Sequence, residues 1–289
     1  LEVENIEVDG HMWHFKYPLA DGARYEYVEK DDDGNVEVIL STKRPRNYQG
    51  DWWPLDPKTS SLMMRMVSAD WKNEVEPKLA IERLDHHESS PRHSAKYLEQ
   101  RLRQLPHAIR FISNLFAGHV HKARSKGLIN TLKMVDLSQM GGLDGQYYYE
   151  GVYDLKDDEA LFIETAAPKQ CLYSSLILTN ELYETTDWYN HHSSLNDSQS
   201  KLDTDGLLRV VVSKQDPLIS NWLDTAGHPI GMVQGRWTGC SEQPVPNVNV
   251  VKFSELQSLL PVSTLRLTVE QRKAIITERR QLLQRKSKW

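Results

Sequence analysis

The sequence predicts a mainly β protein: an antiparallel jelly-roll-like β-sandwich, interrupted by a helical insertion and closed by a C-terminal helix, α+β by content. Three observations predict it. Short segments alternating apolar and polar residues recur from Met12 to Leu40 and again from Tyr147 to Trp237, the period-two signature of half-buried strands. After Ser90-Pro91 the apolar spacing changes to that of a helix, and it changes again after Thr268. Turn-forming pairs such as Asp157-Asp158, Asp205-Gly206 and Asp216-Pro217 separate the later strands.

Residues 1–90 read as a β-meander or first sandwich half. Its strands are Met12 to Tyr17, Ala23 to Glu29 and Asn35 to Leu40, with Asp32-Asp33-Gly34 as a turn. Leu62 to Val67 and Lys78 to Arg83 continue it across a polar connection that holds Trp71. Residues 91–140 read as a helical insertion. Leu98, Leu102 and Leu105 share one face, and Ile109, Ile112, Phe116 and Val120 repeat the spacing beyond Pro106, which predicts a kinked helix or a helical pair. Its Arg101, Arg103, Arg110, Lys122, Arg124 and Lys126 read as a solvated face rather than an anion site. Gly141 to Gly145 supply turn conformations at its end, since a strand pattern and no helix follows them.

Residues 141–253 form the second sandwich half, with strands at Tyr147 to Tyr153, Ala160 to Ile163, Tyr173 to Thr179, Leu207 to Val212 and Ile230 to Trp237. Residues 254–289 form a basic helical segment. Ser254 with Gln257 and Thr268 with Gln271 both fit a capping box, and Ile275, Ile276, Leu282 and Leu283 make the apolar stripe. Arg272, Lys273, Arg279, Arg280, Arg285, Lys286 and Lys288 stand against Glu270 and Glu278 alone. This excess is larger than a helix dipole calls for and predicts packing on an acidic neighbour or on a partner subunit.

The 289 residues carry a net charge of -5, so no overall basic footprint marks a nucleic-acid binder. No run reaches the roughly 20 apolar residues of a spanning helix, and Leu1 to Asn5 lack the pattern of a signal peptide, which predicts a soluble, cytoplasmic chain. The two cysteines, Cys171 and Cys240, read as buried or unpaired thiols of a reducing compartment; their spacing does not say whether they meet.

The nucleophile elbow Gly-x-Ser-x-Gly, the zinc helix His-Glu-x-x-His, the Walker loop and the dinucleotide glycine fingerprint are all missing, so the sequence calls for no cofactor and no metal. His119 and His121 sit two apart on a predicted helix and point in different directions; His86-His87 lies in a connector. The segment Asp187 to Asn196 is different, because it gathers polar side chains between strands. Asp187 and His192 could form an acid–base pair, with Arg236 on a strand holding a carboxylate or enolate-like anion and Asp205, Asp216 and Asp224 available as partners. Trp53, Trp71, Tyr148, Trp188, Tyr189, Asn190, Asn221, Trp222 and Asp224 would line the cleft. The same residues also fit turns, core and an internal salt bridge.

Several ordered segments carry a resemblance to a known bacterial family. They are Asp51-Trp-Trp-Pro54, Asp70-Trp-Lys-Asn-Glu-Val75 with Ile81-Glu-Arg83, Gly141-Gly to Gln146, Asp158-Glu-Ala-Leu161, Asp203-Thr-Asp-Gly206, Asp216-Pro217, Asn221 to Gly227 and Arg236-Trp237. With these the chain resembles the domain-of-unknown-function family 1214, often paired with the sister family 1254. The resemblance implies a β-sandwich of jelly-roll type and no established activity. Two functional expectations follow. One is a small organic or carbohydrate-like ligand held in the aromatic and polar cleft, with turnover by acid–base chemistry. The other is a non-catalytic assembly or protein-interaction module, a homo-oligomer formed through the sandwich or the C-terminal helix.

Overall fold

The computed structural model describes residues 37–59, 67–74, 80–82, 84, 92–135 and 145–286, together with the backbone of further strand residues between 2 and 66. In the first part of the chain the strands are β1 (Glu2–Val8), β2 (His11–Phe15), β3 (Tyr17–Leu19), β4 (Gly22–Arg24), β5 (Val38–Ser41), β6 (Asp51–Pro54) and β7 (Met63–Val67). β1 pairs antiparallel with β2 and parallel with β7, β3 pairs with β4, and β5 runs parallel to β6. The expected turn at Asp32-Asp33-Gly34 and the glycines 141–142 lie outside the described residues. Residues 80–82, expected inside a strand, are irregular.

A single helix follows, α1 (Ala95–Ser125). The Ser94 hydroxyl caps it by accepting from the Tyr97 amide at 3.2 Å. Of the expected kinked helix or helical pair, the pair is replaced by one continuous helix that runs through Pro106. Beyond it come β8 (Lys133–Val135), β9 (Gln146–Asp154), β10 (Glu159–Ala166), β11 (Tyr173–Thr179), β12 (Ser194–Asn196), β13 (Leu207–Ser213), β14 (Trp222–Asp224), β15 (Ile230–Thr238) and β16 (Asn247–Lys252). A 3-10 turn at Phe253–Glu255 leads into α2 (Leu256–Leu259), and α3 (Val269–Arg285) ends the fold.

The strands form a five-stranded sheet, β12-β11-β15-β9-β8, and a four-stranded sheet, β14-β13-β10-β16. Pairing in both is antiparallel apart from β13 with β14. Alternation explains why they pack face to face. Tyr149, Tyr153, Leu176, Leu178, Val233 and Trp237 point inward from one sheet and meet Leu161, Ile163, Val210, Val212 and Leu223 of the other in one buried cluster. Each such side chain contributes roughly 1.5–3 kcal/mol by leaving water. Two glycines make room in this layer: a Cβ at Gly235 would meet the Tyr149 ring at 2.0 Å, and one at Gly231 the Tyr153 hydroxyl at 2.5 Å.

The outer faces are covered unequally. Leu256 and Leu260 close the four-stranded sheet over Ala160, Phe162, Val211, Ile219 and Trp222. On the five-stranded sheet the last turns of α1, through Val120 and Ala123, pack on Val152 and Met232 together with Leu128 and Tyr183. In α3 the expected capping box of Thr268 and Gln271 is present. Ser254 is no cap, since it falls inside the 3-10 turn and Glu255 precedes α2 without a side-chain bond. The cysteines are a further correction. Cys171 and Cys240 are disulfide-bonded, with Cα atoms 3.8 Å apart. The β11–β15 register, Tyr173 opposite Thr238, places residue 171 opposite residue 240.

Candidate functional site

The residues singled out in the sequence divide between two places. The first lies under α3. Arg279, only 5% exposed, donates from Nε to the Trp188 carbonyl at 2.6 Å and from Nη1 to the Ser194 carbonyl at 3.3 Å, and its Nη2 also reaches the Ser194 hydroxyl. Its guanidinium lies 4.8 Å above the Trp71 ring, which meets Trp188 edge-on at 6.2 Å. Two turns earlier Arg272 pairs with Asp216 at 2.8 Å, reaches the Ile219 carbonyl and lies 5.0 Å over the Trp222 ring. Burial lowers Arg279 to about 10, still protonated at neutral pH.

His192 sits between these two cations, its ring parallel to Trp222 at 6.5 Å and its Nδ1 donating to the Trp222 carbonyl at 2.5 Å. Burial, then the charges of Arg272 and Arg279, lower it to about 3, so it is neutral. The expected Asp187–His192 pair is not formed. Asp187 is exposed and accepts from the Asn190 amide at 3.0 Å and from the Asn190 side chain at 2.8 Å, and the latter bond, the larger cause, holds its carboxyl below the usual range. Asp224 binds the neighbouring His191 at 2.7 Å. Asn221 is a staple: it accepts from the Lys201 amide at 2.8 Å and donates to the Lys201 and Arg209 carbonyls at 2.6 and 2.9 Å. Tyr189 meets Gln284 of α3. Trp53 is buried on β6, in a separate strand pair. Of the aromatic residues read from the sequence as a cleft, Trp71, Trp188, Tyr189 and Trp222 thus seat the chain's own α3.

The second place is the outer face of the five-stranded sheet. Tyr148, Glu150 and Val152 alternate outward along β9, and in the β9–β15 register Tyr148 stands opposite Arg236 and Glu150 opposite Gln234. Glu150 is 2% exposed. His119 of α1 lies 2.6 Å from one carboxylate oxygen; the Tyr183 hydroxyl and the Gln234 amide each donate to the other at 2.5 Å. Burial pushes the Glu150 carboxyl up, but the bonds from His119, Tyr183 and Gln234 outweigh it and hold the group ionised below its usual value. Burial, then the Glu150 charge, raises Tyr183, so it remains a donor. With Nε2–H directed at Glu150, a neutral His119 carries its lone pair on Nδ1.

The Tyr183 ring is fixed by stacking on Phe116 at 5.7 Å and by the His119 edge at 5.2 Å, with its backbone at a φ of 65°. Arg236, half-buried, lies 5.1 Å over the Tyr148 ring and has no hydrogen bond or ion pair among the described residues. The aspartates expected beside it are engaged elsewhere: Asp205 with Asp203 and Glu164 on Arg209, Asp216 on Arg272. Sequence reading found Arg236 and Tyr148 here and missed His119, Glu150, Tyr183 and Gln234. A glutamate centred in an otherwise aromatic and apolar strand was the available signal.

Among the described residues no cluster of metal-binding side chains is present, and no helix is long and apolar enough to cross a membrane.

Comparison with known families agrees with the resemblance read from the sequence: the model of DUF1214, a protein family of unknown function, matches residues 16–70. Of the candidate residues, Trp53 lies in that stretch; both places described above draw mainly on residues beyond it. A crystal structure of an uncharacterised protein from Burkholderia cenocepacia matches with a TM-score of 0.73 at 29% identity, over 85% of this chain and 66% of that one. A stretch of 58 residues is 60% identical to valine–tRNA ligase of Ruegeria pomeroyi and, over the same length, 48% identical to that of Xanthomonas euvesicatoria. The chain spans 6% of those ligases.

Proposed function

We propose that this protein binds a small organic anion on the outer face of its five-stranded sheet, with Arg236 as the anchor and the Glu150–His119–Tyr183 set as acid–base groups. The observation that carries this reading is a buried, ionised carboxylate held by three side-chain partners beside a guanidinium that has no ion pair among the described residues. Such a carboxylate is costly to keep from water and is used where a neighbouring imidazole must be oriented. Glu150 fixes the His119 tautomer, Nδ1 then accepts a proton from an acidic C–H or O–H of the ligand, and Arg236 pairs with the anion that results, while the single Tyr183 O–H stays on Glu150. Tyr148 offers Arg236 and the ligand a flat aromatic wall.

The reading is tested by thermal unfolding against a panel of mono- and dicarboxylates, hydroxy acids, keto acids and acidic sugars. A ligand at one hundred times its dissociation constant adds about 2.7 kcal/mol. The expected result is stabilisation by one carboxylate class, lost in Arg236→Ala and kept in His119→Ala, where turnover alone disappears. A panel that leaves the folded protein unmoved, or stabilisation that survives Arg236→Ala, would overturn it.

A further inference from the structure

The exposed apolar stripe of α1 repeats with a coiled-coil period. Leu98, Leu102, Leu105, Ile109, Ile112 and Phe116 follow one another at steps of four, three, four, three and four residues, the a/d pattern of two helices wound together. All six are 40–68% exposed. Together they leave roughly 600 Å² of apolar side chain uncovered per copy, at the top of what a monomer tolerates and near the ~800 Å² per partner of a stable interface. Phe111 and Leu115, 69% and 41% exposed, widen the apolar face beside the seam toward its C-terminal end. The same spacing continues to His119 and Ala123, where α1 is already packed on the chain's own sheet.

We infer that α1 pairs antiparallel with α1 of a second copy of this chain. Charge decides the direction. Between Ala95 and Ser125 there are six cations and one carboxylate, Glu99, which Arg103 already holds at 2.8 Å. A parallel pair would set the basic stretch from Lys96 to Arg103 level with the same stretch of the second copy. An antiparallel pair centred on His107 sets them beside residues 111–118, Phe-Ile-Ser-Asn-Leu-Phe-Ala-Gly, which carry no charge. The same register brings Leu98 opposite Phe116, Leu102 opposite Ile112 and Leu105 opposite Ile109 of the second copy, so every a position meets a d position. Pro106 lies at the edge of the seam, outside the six. The inference stands apart from the ligand reading except at Phe116, the last seam residue, which stacks on Tyr183.

Sedimentation of the whole chain across concentrations tests it. The expected result is a dimer that becomes a monomer in Leu102→Glu/Ile109→Glu, while near-ultraviolet circular dichroism of the tryptophans is unchanged. Val262→Glu, at an exposed apolar residue far along the sequence, should leave the dimer intact. Ala108→Cys should cross-link to itself under oxidation, because only the antiparallel register brings the two positions together. A monomer up to about 100 μM would overturn the proposal and leave the seam to another occupant. A dimer that survives the double substitution, or one in which Ala108→Cys fails to cross-link, would overturn it too.

Discussion

Helices α1 and α3 invert the usual expectation about which face of a helix is buried. α1 carries an unbroken apolar stripe and keeps most of it in solvent; α3 is strongly basic, and two of its three buried residues are arginines. Arg272 and Arg279 stand seven residues apart, on one face, and each meets an aromatic plane and carbonyl oxygens of the sandwich. A guanidinium is flat, weakly hydrated for its charge and rich in donors, so it can be buried against tryptophan where an ammonium would resist. Burial is therefore decided by what faces the helix. Most apolar residues of α1 meet no cover among the described residues, whereas the arginines of α3 find their partners in cis.

The largest way to break the contrast is Arg279→Ala. It leaves the Trp188 and Ser194 groups without their donor and uncovers Trp71, which predicts a loss of about 2–4 kcal/mol and release of α3. Denaturant unfolding measures the loss and limited proteolysis the release; a change under about 1 kcal/mol would show that Arg279 does not hold the helix. Arg279→Lys should recover only part, because an ammonium cannot reproduce the fork.

An intermediate effect comes from pH. His192 titrates near 3 in the folded chain against 6.5 for a free imidazole. The folded state thus binds fewer protons between those values. Stability present in full above pH 6.5 should fall by up to about 1.4 kcal/mol per unit as pH drops below it. His192→Asn keeps a donor for the Trp222 carbonyl and should flatten that slope; an unchanged slope would place the titrating group elsewhere. The smallest effect sharpens the contrast from the other side. With the protein dilute enough to be monomeric, Leu102→Glu should cost less than about 0.5 kcal/mol, since that side chain is already 68% exposed. A loss of several kcal/mol would mean that α1 packs within its own chain.

Five strands, β9, β10, β11, β13 and β15, were legible because alternation and turn chemistry are local, whereas the three-residue β12 and β14 were not. The helix ends were legible at Thr268 and not at Ser254, where a 3-10 turn takes the place of a cap. The seat of α3 was hidden for a different reason. Trp71, Trp188 and Trp222 signalled a shared aromatic surface, but what fills it stands far along the chain on α3, and Arg279 looked like any surface cation. The Glu150 site was only half legible. Arg236 and Tyr148 are cross-strand neighbours, while His119 and Tyr183 arrive from a helix and from a turn whose placement no local pattern records.

The bond between Cys171 and Cys240 turns the chain from β11 to the end of β15 into a closed ring. Asp187, His192, Trp222 and Arg236 all lie within that ring. A protease that cuts one exposed turn there, such as the one around Asp187, would open the loop without parting the chain, and both pieces would stay tethered until a reductant reached the sulfurs. The region that holds Trp188, Trp222 and Arg236 is thus protected against the loss of a fragment even where its backbone is accessible.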